Sequence, residues 1–396
     1  MNTQDQFEPS GTKKISPLTS LRFFAALLVL YHHSVRVFLP VFAARSVSHG
    51  APQGFIGAIS LTFSVSVSFF FLLSGYVLSQ VYLRKGPPLD VRKFFVARLA
   101  RLYPLYFVVQ SLASCEFLFA QSQRWGLKIG IEKTAEVLAG NLLMLQVWNH
   151  RLLRIDAPSW SLCCEAFFYL CFPLLGTLLW RLRGVSLWTA AFTLYVGGQV
   201  LVMAVRPYVP VIVALTLPPL HLSTFALGIL LARGQSLQQE RPGKSPVHTW
   251  HIYAVLAVSV AGLLFSIPLQ PLFKVPNPYN DGMLMPLFAG LIWALSATPT
   301  ALSRWLSCRW LFALGNASYA LYLIHSPILD VFQYLHWVSL SFYAVYVVLC
   351  VGLSLLSFHY FETPIRLWLV DRFSQKHPAP QNSIASNVSL GRIRRW

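Results

Sequence analysis

Ten long apolar segments dominate the sequence, and they limit the chain to a membrane fold. A helix needs about 20 apolar residues to cross the hydrocarbon core of a bilayer. Only 11% of the residues are charged, whereas soluble domains carry about 25%. We therefore predict an all-α fold, a polytopic membrane helical bundle with about ten transmembrane helices. The predicted spans are 18–40, 55–83, 98–119, 160–181, 186–205, 211–232, 249–267, 283–302, 311–334 and 338–361.

Basic residues between the apolar segments predict the orientation of the bundle. The net charge is +18, and we assign the most basic connection, 84–93, to the cytoplasm because Lys and Arg concentrate on that side of membrane proteins. A further segment, 131–148, is partly polar. If it does not cross the membrane, the later basic connections and the C-terminal tail are also cytoplasmic, and both termini lie inside; if it crosses, those connections and the C-terminal tail lie outside. We expect that it does not cross. Because topology accounts for the charge, we predict no nucleic-acid partner.

The same pattern divides the chain into three parts. Residues 1–17 form a cytoplasmic N-terminal tail, 18–370 a membrane domain, and 371–396 a disordered cytoplasmic tail. Within the membrane domain, 120–159 is the longest outer-side connection, and we expect it to hold an amphipathic or re-entrant helix. Connections of this length are often functional. The six cysteines form no CxxC pair, so we predict no disulfide and no metal site.

The first span carries an arginine near its start and two adjacent histidines near its end. Arg22 and His33 are eleven residues apart, which puts them on nearly the same helix face, about 16.5 Å apart along the axis. Titratable residues inside a membrane span are costly and usually functional. His33 is a candidate general base, because a neutral imidazole accepts a proton near neutral pH. His32 points about 100° away and is a weaker catalytic candidate. The alternative is that both histidines are structural.

Two further arginines begin the third predicted span. Arg98 and Arg101 are three residues apart, so they share one helix face. Guanidinium groups bind phosphate through paired donors, which makes these arginines, together with Arg22, candidates for binding an anionic cofactor. The alternative is that they are flanking charges that only set the topology of the span.

A glutamate lies about one turn inside the fourth predicted span. Ser161 and Glu165 are four residues apart and share a face, and a carboxylate at this depth must face the bundle interior or a wet cavity. Glu165 is therefore a catalytic candidate and Ser161 a substrate-binding one, unless the glutamate only bonds to a neighbouring helix. Trp160 is either an interfacial anchor or a stacking surface for a sugar. Asp156, in the preceding connection, is a further substrate-binding candidate.

Another histidine lies in the ninth predicted span. Tyr322 and His325 are three residues apart, near one face that also holds Ser318. We assign Tyr322 and His325 as candidate substrate-binding residues. For His325, packing in the core between helices is the alternative.

Taken in order, these motifs resemble the membrane-bound acyltransferase 3 family over about residues 18–370. Arg22 and His33 are similar to its Arg/Lys-x10-His motif, and Arg98 with Arg101 is similar to its RxxR motif. Other segments that resemble the family are FFFLLSGY, SWSLCCEAFFYL, LGNASYALYLIH and the closing FETP. The resemblance rests on five or more segments that occur in the same order.

The resemblance implies an O-acyltransferase in the membrane, since members of that family O-acylate sugars and other small hydroxyl compounds. It implies transfer of an acyl group, with acetyl expected, from cytoplasmic acyl-CoA to a sugar or glycan, without a metal. The three arginines would hold acyl-CoA, His33 would act as general base, and Glu165 would orient the imidazole or the sugar. Direct transfer and an acyl-histidine intermediate both remain open. The resemblance also implies a bacterial inner membrane, with membrane lipid as a partner.

Two other functions fit the same segments. One is a transporter or flippase of a polar lipid or sugar, which would move its substrate without consuming acyl-CoA. The other is an acyltransferase that acts on lipid or protein.

Overall fold

The structure, a computed structural model, describes residues 12–38, 65–84, 86–240, 248–269 and 282–374. Within these ranges the chain forms helices and turns and no strand, which confirms the predicted all-α bundle. The helices are α1 (Thr12–Phe38), α2 (Ser66–Tyr82), α3 (Val91–Trp125), α4 (Leu127–Leu142), α5 (Trp160–Trp180), α6 (Gly184–Val205), α7 (Val211–Thr216), α8 (Pro218–Glu240), α9 (Thr249–Leu269), α10 (Met285–Ala297), α11 (Ala301–Leu306), α12 (Arg309–Asn316), α13 (Ser318–Tyr334), α14 (Leu340–Ser357) and α15 (Thr363–Ser374).

The predicted spans coincide with helices, but their number is not settled by length alone. Seven of the described segments are long and apolar enough to cross a membrane, and α2 and α10 are shorter apolar helices. Three predicted spans are interrupted: 211–232 is split into α7 and α8, 283–302 runs from α10 into α11, and 311–334 is split into α12 and α13. The first part of the predicted span 55–83 lies outside the described residues. A membrane bundle is therefore supported, and the count of about ten stays a prediction.

The connection predicted to hold an extra helix does contain one. α3 has 35 residues and is about 52 Å long, well beyond the roughly 30 Å of a bilayer core. α4 follows after a turn at Gly126, whose φ of 83° is a left-handed conformation that glycine adopts at little cost. α4 then packs back along α3. With 16 residues it is shorter than the seven candidate spans, and its not crossing the membrane stays a prediction.

Helices extend beyond both predicted limits of the membrane domain. α1 begins at Thr12, inside the segment assigned to the N-terminal tail, and α15 continues to Ser374, beyond the limit at 370. The apolar run marks where a helix meets the bilayer, whereas the helix itself continues into polar sequence. α15 also packs against α3, and this contact stabilises α15. Residues 1–11 and 375–396 of the predicted tails lie outside the described residues.

α2 and α8 approach each other closely at two glycines. A Cβ atom on Gly75 would lie 2.0 Å from the carbonyl oxygen of Phe225, and one on Gly228 would lie 2.1 Å from that of Leu72. Both positions therefore require glycine. The Ser-Gly pair in FFFLLSGY thus marks a close helix approach, as small residues do in membrane bundles.

The candidate site lies where two apolar cores meet. The larger core joins α2, α5, α8 and α10, and includes the stacked rings of Phe168 and Phe225. The second core joins α1, α13 and α14 through residues such as Leu30, Leu321 and Tyr346. Helices of both cores line the same buried cavity, so packing of the two cores holds the polar residues between them.

Candidate active site

Three arginines and one glutamate line a buried cavity of about 100 Å³ between α1, α2, α3, α5 and α13. We call it the arginine cavity. Its polar lining consists of Arg22, Ser74, Arg98, Arg101, Ser161, Glu165, Tyr169, Ser318, Tyr319 and Tyr322. Six of the predicted site residues are in this group, although they come from four separate segments of the chain.

The arginines reach the cavity from well inside their helices. Arg22 lies ten residues after the start of α1, and Arg98 and Arg101 lie seven and ten residues after the start of α3. At a rise of 1.5 Å per residue, these positions are roughly 10–15 Å from the helix starts. Flanking charges that only set topology lie at the membrane surface. Because α1 and α3 both begin in polar sequence, what favours a binding role is that all three side chains line the same cavity.

The contacts of Arg98 leave one of its donors unused. Its Nη2 donates to the Tyr82 hydroxyl at 3.3 Å, and its guanidinium lies 5.5 and 5.9 Å from the ring centroids of Tyr82 and Tyr169. Its Nε is buried and has no hydrogen-bond partner among the described residues. A buried donor without a partner is destabilising, so this atom is suited to bind an anionic ligand.

Glu165 supplies the carboxylate of the arginine cavity. Its Oε1 accepts hydrogen bonds from Tyr169 at 2.5 Å and from Ser74 at 3.3 Å. Both partners line the cavity and not the region around His33. Three guanidinium groups and one carboxylate give the described lining a formal charge of +2. Uncompensated charge inside a membrane is costly, so this excess also favours an anionic ligand.

His32, His33 and His325 form a second group, which we call the histidine cluster. The ring centroids of His33 and His325 are 5.3 Å apart, and those of His32 and His33 are 5.0 Å apart. His325 is completely buried and His33 is partly buried. His33 therefore faces the bundle interior and not the surrounding lipid.

The hydrogen bonds of His325 define its tautomer. Its Nδ1 lies 2.6 Å from the carbonyl oxygen of Tyr322. A carbonyl oxygen only accepts hydrogen bonds, so Nδ1 carries the proton and Nε2 carries a lone pair. That Nε2 has no hydrogen-bond partner among the described residues. The Tyr346 hydroxyl donates to the backbone carbonyl of His325 at 2.9 Å, which holds this part of α13 in place. His325 thus offers an unused basic nitrogen next to His33.

Tyr322 connects the arginine cavity with the histidine cluster. Its side chain lines the cavity, and its ring centroid is 5.9 Å from that of His325. Its hydroxyl donates to the carbonyl oxygen of Pro158 at 2.9 Å and lies 2.7 Å from Ser161 Oγ. His33 itself does not line the cavity, and Tyr322 is the lining residue whose ring lies near His325.

Asp156 is buried in the interior of the bundle, although the sequence places it in an outer connection. It is 1% exposed, and its Oδ2 accepts a hydrogen bond from Gln110 at 3.2 Å. Burial, and to a smaller extent the nearby Asp330, raise the pKa of Asp156 to about 8, against the effect of hydrogen bonds from Gln110 and Ser326. Ser326 follows His325 in the chain. A direct role of Asp156 in binding substrate would therefore require access from this buried region.

Trp160 does not line the arginine cavity. Its ring packs against Phe71 and His221, with centroids 6.1 and 5.5 Å apart, and His221 is completely buried. Stacking of a sugar on Trp160 would have to use the part of the ring that this packing leaves free.

Sequence reasoning missed Ser74, Tyr169 and Tyr319 as lining residues. Tyr169 is four residues after Glu165, so helical spacing could have identified it. Tyr319 donates to the carbonyl oxygen of Leu102 at 2.5 Å, a contact between distant segments that no local pattern shows. In the part of the chain that the structure describes, no three His, Cys, Asp or Glu side chains are grouped to hold a metal ion.

Comparison with known proteins yields a family and several relatives. A family model described as an acyltransferase domain matches residues 17–359. The chain is 30% identical to acyltransferase MdmB of Streptomyces mycarofaciens, over 80% of this chain and 79% of that protein. It is 24% identical to O-acetyltransferase OatA of Staphylococcus aureus, over 92% of this chain and 60% of that protein. It is 26% identical to the putative peptidoglycan O-acetyltransferase YrhL of Bacillus subtilis, over 96% of this chain and 60% of that protein. The chain thus spans about 60% of the length of OatA and YrhL, and no solved structure matches it.

Proposed function

We propose a donor and an acceptor for this chain, which belongs to the acyltransferase family above and is an integral membrane O-acyltransferase. The protein transfers an acyl group, with acetyl expected, from cytoplasmic acyl-CoA to a hydroxyl of a sugar or cell-surface glycan. OatA is named an O-acetyltransferase and YrhL a putative peptidoglycan O-acetyltransferase, which supports the acetyl group and the glycan acceptor. The observation that carries the proposal is the cationic cavity that Tyr322 joins to a cluster of histidines.

The arginine cavity would hold the anionic part of the donor. Arg22, Arg98 and Arg101 supply more positive charge than Glu165 offsets, and Arg98 Nε is a buried donor without a described partner. Phosphate groups of coenzyme A fit these donors, because guanidinium binds phosphate through paired hydrogen bonds. Arg22 and His33 are about 16.5 Å apart along α1, a distance comparable to an extended pantetheine arm. The thioester would therefore lie near the histidine cluster.

The histidine cluster would carry the proton transfer. His33 accepts the proton of the acceptor hydroxyl while the hydroxyl oxygen attacks the thioester carbonyl. The C–S bond then breaks, and the protonated imidazole returns the proton to the thiolate, so the products are an ester and free coenzyme A. His325, whose Nε2 has a lone pair and no described partner, is the second candidate for this base, and His32 is a weaker one. Tyr322 must move for the thioester to pass, because its side chain lines the cavity and its ring lies near His325.

A covalent route would use the same residues. A histidine nitrogen would first take the acyl group and release coenzyme A, and the acceptor hydroxyl would then displace the histidine. Burst kinetics distinguish the two routes, since a covalent intermediate releases coenzyme A before any acceptor is added. In this scheme Glu165 orients the donor within the arginine cavity, because Ser74 and Tyr169 hold it there.

Membrane vesicles of defined orientation test the proposal. Labelled acetyl-CoA is added outside inside-out and right-side-out vesicles, and the surface glycan is analysed by mass spectrometry. We expect acetylated glycan only when the donor has access to the cytoplasmic face, and none in vesicles that lack the protein. Movement of glycan without consumption of acetyl-CoA would contradict an acyltransferase and support a transporter. Label in lipid or protein instead of glycan would replace the proposed acceptor.

A further inference from the structure

A second cationic region lies at the end of the bundle that the sequence assigns to the cytoplasm. Four arginines line a cavity of about 430 Å³ between the end of α2, the α5–α6 turn and α8, and Glu240 is the one acidic residue in its described lining. The arginines are Arg84, Arg181, Arg183 and Arg233. None of them belongs to the arginine cavity. We call this region the basic pocket.

Arg233 shows that the basic pocket is a built feature and not only a set of flexible surface charges. Its side chain is 4% exposed. The guanidinium lies 5.3 Å from the ring centroid of Trp180, and its Nη1 bonds to Glu240 at 3.3 Å and its Nε to the carbonyl oxygen of Leu182 at 3.4 Å. Because one carboxylate faces four guanidinium groups, the described lining carries a formal charge of +3.

The first turn of α6 adds a further attraction for anions. α6 has 22 residues and begins at Gly184, directly after Arg183. The positive end of a helix dipole favours a negative group near such a position. Arg183, which lines the basic pocket, therefore lies next to the positive end of this helix.

An apolar cavity of about 670 Å³ begins beside the basic pocket. It lies between α6, α8 and α10, and it is lined mainly by apolar and aromatic residues such as Leu187, Trp188 and Trp293. Gly184 and Gly234 line this cavity, whereas their chain neighbours Arg183 and Arg233 line the basic pocket. The cationic and the apolar regions thus adjoin along both α6 and α8.

We propose that these two regions together bind one anionic membrane lipid, with its phosphate in the basic pocket and an acyl chain in the apolar cavity. A soluble phosphate compound would use the basic pocket but leave the apolar cavity empty. A neutral lipid would use only the apolar cavity. An anionic phospholipid matches both, as basic pockets between helices do at the cytoplasmic side of other membrane proteins. The site is separate from the arginine cavity and does not depend on the proposed acyl donor.

Thermal unfolding of the full-length protein in an uncharged detergent tests this site. Phosphatidylglycerol, phosphatidylcholine with the same acyl chains, inorganic phosphate and coenzyme A are titrated separately. We expect phosphatidylglycerol to raise the melting temperature in a saturable manner and the neutral lipid to have a smaller effect at equal concentration. Equal effects of the two lipids would overturn the role of the basic pocket. An equal shift with inorganic phosphate or coenzyme A would overturn the lipid and identify a soluble phosphate ligand.

Two variants and a matched control locate the effect. Arg183→Gln changes an exposed residue, so the fold is expected to survive, and Ala191→Phe places a ring in the apolar cavity. We expect Arg183→Gln to raise the phosphatidylglycerol concentration for half-maximal stabilisation by about fivefold, since a basic residue near an anionic head group contributes on that order. Ala191→Phe should raise it as well, because the ring would occupy space needed by the acyl chain. Arg154→Gln, at an exposed arginine of the outer connection, should leave it unchanged. An unchanged response in both cavity variants would refute the proposal.

Discussion

The arginine cavity and the histidine cluster are built on the same helix, α1, but they differ in charge and packing. The arginine cavity contains a formal charge of +2 around open space. In the histidine cluster, neighbouring ring centroids lie 5.0–5.3 Å apart. A cationic space suits binding of an anion, whereas packed imidazoles suit proton transfer. The difference separates donor binding from chemistry, so variants of the two regions should affect different constants.

The largest effect is expected in the histidine cluster. His33→Ala should lower turnover by about 10²–10⁴-fold, because a positioned general base contributes this much, while acyl-CoA affinity stays close to that of the wild type. Steady-state transfer and equilibrium binding measure the two quantities separately. His359→Ala, at an exposed histidine, is the matched control. Undiminished turnover in the His33 variant would remove this residue from the mechanism and leave His325 as the candidate base.

A smaller effect, on donor binding and not on turnover, is expected in the arginine cavity. Arg101→Ala should weaken acyl-CoA binding by about 10–100-fold, the loss of a hydrogen bond to a charged group. Turnover at saturating donor should change little. Arg154→Ala controls for loss of an arginine at an exposed site. Unchanged affinity in the Arg101 variant would show that the cavity does not hold the donor.

The pH dependence of stability tests whether the carboxyl group of Asp156 is shielded from water. Because burial raises its pKa to about 8, the folded protein retains a proton that an unfolded aspartate loses near pH 4. Wild-type stability should therefore fall between pH 4 and 8, by about 1.4 kcal/mol per pH unit at most. Asp156→Asn should remove this dependence, whereas Glu136→Gln, at an exposed site, should not. Parallel stability curves for the wild type and the Asp156 variant would indicate a hydrated carboxylate.

The smallest effect is expected for the residue that joins the two regions. Tyr322→Phe removes a hydroxyl that bonds to Pro158 and Ser161. We expect roughly 2–10-fold lower kcat/KM, the range for one neutral hydrogen bond, with both binding and turnover affected. Tyr334→Phe, at an exposed tyrosine, should have no effect. A change confined to donor affinity would place Tyr322 in the arginine cavity alone.

The sequence predicts the two regions to different degrees. The arginine cavity follows largely from local patterns: the i,i+3 spacing of Arg98 and Arg101 and the i,i+4 spacing of Ser161 and Glu165 each put two polar residues on one face. The family resemblance suggests that these faces meet. Local patterns give helix faces but not their neighbours, and this explains why Tyr319, held to α3 by a bond to Leu102, was missed.

The histidine cluster depends more on tertiary packing. The spacing of Arg22 and His33 is visible in the sequence, but the contact between His33 and His325 joins α1 to α13. The burial of Asp156 likewise depends on Gln110 of α3, so a residue of a polar connection becomes part of the interior. α1, α3 and α15 also continue beyond their apolar runs. Hydropathy predicts where a helix is in lipid, not where it ends.

A structure of the protein with a non-hydrolysable acyl-CoA analogue tests the division of labour between the two regions most directly. We expect phosphate oxygens of the analogue within hydrogen-bond distance of Arg98 or Arg101, Tyr322 displaced from its present position, and the acyl carbonyl against His33 and His325. Phosphates bound away from both arginines would contradict this division of roles. An acyl carbonyl that contacts neither histidine would contradict it as well.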